Sequence, residues 1–101
     1  MGVNGGISGT IRDLLFMKES IPSDSTFTVS GVGRCQLEMA TASILMGGHV
    51  RVGFEDNVYL KKGVPLKSNG EMVKVVKEIA TILGREIATP DEAREILGLK
   101  K

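Results

Sequence analysis

Cysteine is almost missing from this chain of 101 residues: Cys35 stands alone, so no internal disulfide can form and no pair of thiols can hold a metal. A lone thiol with no histidine near it in sequence reads as unreactive packing. Tryptophan is absent, and the few aromatics, Phe16, Phe27, Phe54 and Tyr59, are not grouped into a platform on which bases or sugars would stack. Charge of one sign is lacking too. Thirteen basic against twelve acidic residues leave a formal charge of +1, too little to hold a polyanion, so nucleic acid is not expected as a partner. No run approaches the roughly eighteen apolar residues of a membrane span, and residues 1–10 carry neither a basic start nor an apolar stretch. A cytoplasmic protein without membrane contact is therefore expected. Length is the last shortage, because a complete eight-stranded α/β barrel takes roughly 250 residues. One small domain over residues 1–101 is expected.

What is present alternates between strand and helix patterns. From Thr10 to Ile21 the apolar residues Ile11, Leu14, Leu15 and Met17 follow a helical period that Pro22 closes. Thr26 to Ser30 reads as a strand, with Phe27 and Val29 on one side and Thr26, Thr28 and Ser30 on the other. Gln36 to Met46 puts Leu37, Ala40, Thr41 and Ile44 on one helical face and stops at Gly47-Gly48. A second strand is expected from His49 to Phe54. Strand, helix and strand within about thirty residues predict a parallel crossover. A long helix is expected from Ser68 or Asn69 to Leu83, with Met72, Val75, Val76, Ile79 and Leu83 facing the core. Thr89-Pro90-Asp91-Glu92 is a capping box that opens a last helix ending near Gly98.

The second strand is uneven. Val50, Val52 and Phe54 share one face, while His49, Arg51, Gly53 and Glu55 share the other. Parallel strands are usually apolar on both faces, so the polar row suggests a barrel lumen or crevice at the carboxyl end, where α/β folds place their ligands. A half-exposed strand carrying solvated charges gives the same alternation. Glu55-Asp56-Asn57 then sets two carboxylates and an amide at the strand's end, suiting one carboxylate to a metal and its neighbour to proton transfer. Arg51 can hold Asp56 ionised and oriented, although structural ion pairs do the same. His49 and Glu55 cannot share an ion if the strand is regular, since six residues separate them by roughly 20 Å. His49 is therefore expected as a packed or hydrogen-bonded core residue.

Gly31-Val32-Gly33-Arg34 joins the first strand to its helix and presents backbone amides and a guanidinium where a phosphate can rest. A simple strand-to-helix turn explains the same residues, for the third glycine of the dinucleotide fingerprint is missing. Lys61-Lys62-Gly63 suits the anionic tail of a cofactor, or plain solvation.

The stretch GHVRVGFEDN, from Gly48 to Asn57, resembles the carboxyl-terminal part of the β-keto acid cleavage enzyme family. The likeness extends over nearly the whole chain through GGI at Gly5 to Ile7, GVGRCQL, ATASILMGGHVRVG, YLKKGV, KSNGEMV and LGREIATPDEAREILGL. The resemblance implies a zinc-dependent (β/α)8 barrel of which this chain holds only the last three β/α units. Val3 to Gly6 would end strand six, and Thr26 to Ser30 and His49 to Phe54 would be strands seven and eight. It also implies Glu55 as a zinc ligand, Asp56 as the base and Arg51 as the residue that orients it. The implied reaction is a Claisen-type exchange between a β-keto acid and acetyl-CoA that yields acetoacetate and a new acyl-CoA. The family's two histidine ligands have no counterpart here, so the chain alone is expected to be inactive. It is expected to act as a fragment or split product that forms a homo-oligomer or pairs with a chain carrying the missing strands. The rival expectation is a non-catalytic α/β half-barrel that binds a phosphate ligand or serves assembly.

Overall fold

Capping side chains set where the helices begin. The computed structural model describes residues 1–99, and within them Thr10 caps helix α1 (Ile11–Ser20) by accepting from the Asp13 amide at 3.2 Å. Pro22 forces the preceding Ile21 into an extended conformation and ends that helix. After strand β1 (Thr28–Val29), a 3-10 turn over Gly33–Cys35 leads into helix α2 (Gln36–Leu45) and then strand β2 (His49–Val50). Two short strands follow, β3 (Tyr59–Lys61) and β4 (Val64–Pro65), then helices α3 (Asn69–Ile82) and α4 (Pro90–Leu97). Ser68 caps α3 through the Glu71 amide at 3.1 Å. Thr89 and Glu92 form the reciprocal box expected at α4.

β1 and β2 pair in parallel with Thr28 opposite His49 and Val29 opposite Val50, the crossover that the sequence predicts. The strands are shorter than Thr26 to Ser30 and His49 to Phe54. Beyond the paired residues themselves, the His49 amide donates to the Phe27 carbonyl and the Arg51 amide to the Val29 carbonyl, and past Arg51 the chain turns. Val3 to Gly6 is a turn rather than the end of a strand, closed by the Gly6 amide on the Val3 carbonyl at 3.0 Å. Strand-like pairing lies instead at Met1, whose ammonium donates to the Ser30 carbonyl at 2.7 Å and whose carbonyl accepts from Val32 at 2.8 Å. That is the bonding rhythm of a parallel ladder, so Met1 flanks β1 on the edge opposite β2.

α2 packs across this pair with Gln36, Met39, Ala40, Ala42, Ser43 and Ile44 buried, and Leu14, Val29, Met39 and Ala42 form the core. Gly48 lies against that core because a Cβ there would meet the Phe27 ring at 2.2 Å and Ser43 Oγ at 2.6 Å. The predicted stripe on α3 is only partly right: Met72 and Ala80 are buried, whereas Leu83 is exposed. On α1, of the four apolar positions read as helical, Leu14 alone is buried. The fold is thus a small mixed α/β unit. Among the described residues no helix is long and apolar enough to cross a membrane.

Candidate active site

Where β2 ends, the chain folds sharply back on itself. The Gly53 carbonyl accepts from the Asp56 and Asn57 amides, each at 3.1 Å, and from Gln36 Nε2 at 3.1 Å. Asn69, the first residue of α3, accepts from the Phe54 amide at 2.8 Å and holds the outside of the turn. Glu55 and Asp56 are therefore set by main-chain bonds and by side chains from two helices.

Arg51 gathers both carboxylates. Its Nη2 lies 3.1 Å from Glu55 Oε1 and its Nε 3.5 Å from Asp56 Oδ2. The turn brings the three together more closely than a regular strand would, so the polar row read from alternation arises partly from a bend. Asp56 is also bound by Ser30, whose Oγ donates to Oδ2 at 2.9 Å, and its carbonyl accepts from the Gly33 amide at 2.8 Å. Asp56 is shielded, with 11% of its side chain accessible, against 58% for Glu55. The two neighbours thus differ: one carboxylate is enclosed and doubly held, and the other reaches outward.

The Glu55 carboxyl is held below its ordinary pKa first by its own backbone N–H and then by the Arg51 hydrogen bond and charge, with desolvation opposing. It is ionised at neutral pH, which a metal ligand requires. Gly53 makes room for it, because a Cβ at that position would lie 2.6 Å from Glu55 Oε2. Zinc takes about four donors. Glu55 suits one of those places as an exposed, ionised oxygen donor, but among the described residues no group of three His, Cys, Asp or Glu side chains is placed to hold a metal. Zinc at this point would need donors from outside the described residues. His49, half-buried on β2, lines a separate cleft of about 300 Å³ with Arg85 and Glu86. Cys35 is half-buried against the core.

The Gly31 to Arg34 turn does not offer the free amides expected of it. The Val32 amide donates to Met1 and the Gly33 amide to Asp56, so these donors are used within the chain. Gly31 is glycine for a packing reason: a Cβ there would sit 2.5 Å from the Cys35 carbonyl. What this turn presents outward is the Arg34 side chain. It lines a cleft of about 530 Å³ opposite Lys62 and Gly63, which close the β3–β4 hairpin. The side chain of Lys61 lies outside the described part of the structure.

Sequence reasoning missed Ser30, Gln36 and Asn69 as supports of the acidic turn. Ser30 carried a signal, since it ended the polar side of the first strand at the same carboxyl edge as Arg51. Gln36 and Asn69 carried none, because their partners lie 17 and 15 residues away.

Comparison with known proteins adds an independent finding. A family model described as beta-keto acid cleavage enzyme matches residues 1–99. A 3-keto-5-aminohexanoate cleavage enzyme from Acetoanaerobium sticklandii is 65% identical over 101 residues, covering all of this chain and 37% of that protein. One of the same name from Fusobacterium nucleatum is 66% identical over 95 residues, 94% of this chain and 35% of that protein. A 3-dehydrocarnitine:acetyl-CoA trimethylamine transferase from Rhizobium meliloti is 35% identical over 101 residues, the whole chain and 33% of that protein. The chain spans about a third of the length of the curated relatives it matches.

Proposed function

The chain belongs to the beta-keto acid cleavage enzyme family, and from that premise we propose that it contributes the base, its orienting arginine and one zinc ligand to such an enzyme. The reaction is acyl exchange between a β-keto acid and acetyl-CoA, giving acetoacetate and a new acyl-CoA. In this reading the chain forms the last three β/α units of a (β/α)8 barrel in the cytoplasm, completed by a homo-oligomer or by a chain bearing the missing strands. The observation that carries it is the contact of Arg51 with both Glu55 and Asp56, at 3.1 and 3.5 Å.

Asp56 is the base. Ser30 and Arg51 both engage Oδ2, which leaves Oδ1 without a partner among the described residues and able to take a proton. The guanidinium keeps that carboxylate ionised and fixes its angle. Glu55, tethered through Oε1, would hold zinc; the bound metal would act as a Lewis acid on the keto oxygen. Deprotonation yields a carbanion that attacks the acyl-CoA thioester, and retro-Claisen cleavage releases the products.

The test is reconstitution. The chain is combined with a polypeptide corresponding to the preceding two thirds of the relatives, and acetoacetate formation and bound zinc are measured. Glu55→Gln is expected to lose zinc and turnover together, and Asp56→Asn to keep zinc but lose turnover. Full activity in both variants overturns the assignment.

A further inference from the structure

The cleft between the 3-10 turn and the β3–β4 hairpin lies next to the acidic turn and takes no part in the roles given above. Its walls carry two cations on separate elements, Arg34 ahead of α2 and Lys62 at the hairpin tip, and Tyr59 lines it as well. Both cations are exposed, and neither makes an ion pair or side-chain hydrogen bond with any described residue. Two positive side chains without an ion-pair partner, facing one concave space, make a receptor for phosphate oxygens, each contact being charge-assisted. Tyr59 is 48% exposed and supplies a flat surface suited to a purine ring.

Position gives the cleft its direction. Asn57 lines it and follows Asp56 directly, so its inner end adjoins the proposed base. From there the hairpin runs outward for the three residues of β3, roughly 10 Å, before reaching Lys62. A ligand lying along it has its charged end at the cations and its other end beside Asn57, one residue from the proposed base. The cleft also follows the carboxyl ends of both parallel strands, where α/β sheets bind their ligands.

We infer that this cleft binds the phosphate-bearing adenosine tail of coenzyme A, with Arg34 and Lys62 on the phosphates and Tyr59 against the adenine. The inference rests on the acyl-exchange reading for its choice of ligand. Glu38 lies on the same wall and opposes any anion, which gives the site a signature of its own: removing that carboxylate strengthens binding, whereas removing either cation weakens it.

The isotope-labelled chain is titrated by NMR with coenzyme A, 3′,5′-ADP, pantetheine and inorganic phosphate. Coenzyme A and 3′,5′-ADP are expected to shift the amides of residue 34 and residues 57–63, and pantetheine to leave them unmoved. Arg34→Gln with Lys62→Gln is expected to weaken both phosphorylated ligands at least tenfold, and Glu38→Gln to tighten them about threefold. Tyr59→Leu is expected to weaken 3′,5′-ADP and leave inorganic phosphate as it was. Equal binding of pantetheine and coenzyme A overturns the inference, as does undiminished affinity in the double variant or inorganic phosphate binding as tightly as 3′,5′-ADP. Glu55→Gln and Asp56→Asn are expected to leave these titrations unchanged, so failure of the catalytic reading and failure of this site are read separately.

Discussion

Replacing Ser30 with alanine removes one oxygen, yet the structure makes it a costly change. Ser30 Oγ donates at 2.9 Å to Asp56 Oδ2, on a side chain only 11% accessible, so water cannot freely take its place. The remaining partner of that oxygen is Arg51 Nε at 3.5 Å, and Arg51, with 56% of its side chain accessible, shares its charge with Glu55. A hydrogen bond to a shielded charge contributes about 1.5–3 kcal/mol, whereas an exposed pair such as Arg51–Glu55 contributes about 0–1 kcal/mol. Ser30→Ala is therefore expected to destabilise by about 2 kcal/mol. In a chain of this size that lowers Tm by about 8–16 °C. Urea unfolding followed by circular dichroism at neutral pH measures it, with Asp56→Asn and the double variant completing a cycle. A coupling near the single-variant loss is expected. A Ser30→Ala loss below about 0.5 kcal/mol, or a cycle without coupling, refutes the claim that this hydroxyl secures Asp56.

Gln36 gives the opposite sign. It is 1% accessible and its Oε1 is buried with no partner, while the Gly53 carbonyl keeps two amide donors if Gln36 Nε2 is lost. Gln36→Met gives up about 1 kcal/mol of hydrogen bonding but relieves a buried orphan acceptor that costs about 1–3 kcal/mol. Unchanged or slightly raised stability in urea is expected, and a loss above about 1 kcal/mol would show that the amide is needed. At α4 the Glu92 carboxyl is held below its ordinary pKa by the Thr89 backbone and hydroxyl bonds. Its stabilising contribution is accordingly complete above the ordinary carboxylate value and is lost as pH falls through the lowered one. NMR titration of the carboxyl carbon reads this directly; Thr89→Ala is expected to move Glu92 back up, and an ordinary Glu92 midpoint in the unaltered chain contradicts the capping box.

Helix starts were legible because their signals are local. Thr10, Ser68 and Thr89-Pro90-Asp91-Glu92 each cap through an amide three residues on, within the reach of a sequence pattern. Strand lengths were not, since they depend on how much partner is present: alternation from His49 to Phe54 survives as pairing only at His49–Val50. The β3–β4 hairpin was passed over although Lys62-Gly63 marks its turn, with Gly63 at φ +78°. At the site, Arg51, Glu55 and Asp56 are separated by at most five residues and their grouping was readable. Ser30 lies 26 residues from Asp56, a contact that only the parallel crossover creates. The expected phosphate turn shows the limit in reverse: Gly31 to Arg34 was correctly seen as a turn, but the Val32 and Gly33 amides had partners that the sequence did not reveal.

The Gly53 carbonyl collects three N–H groups, one from α2 and two from the acidic turn. Asp56 and Asn57 thus hang by their amides from one peptide plane, and Glu55 is carried in the loop they close, so the two carboxylates are like two arms on a single fulcrum. Tilting that plane by repacking α2 swings both arms at once. An engineer who wishes to alter the metal-facing arm alone must work from Arg51 or from the small space above Gly53, not from the helix beneath.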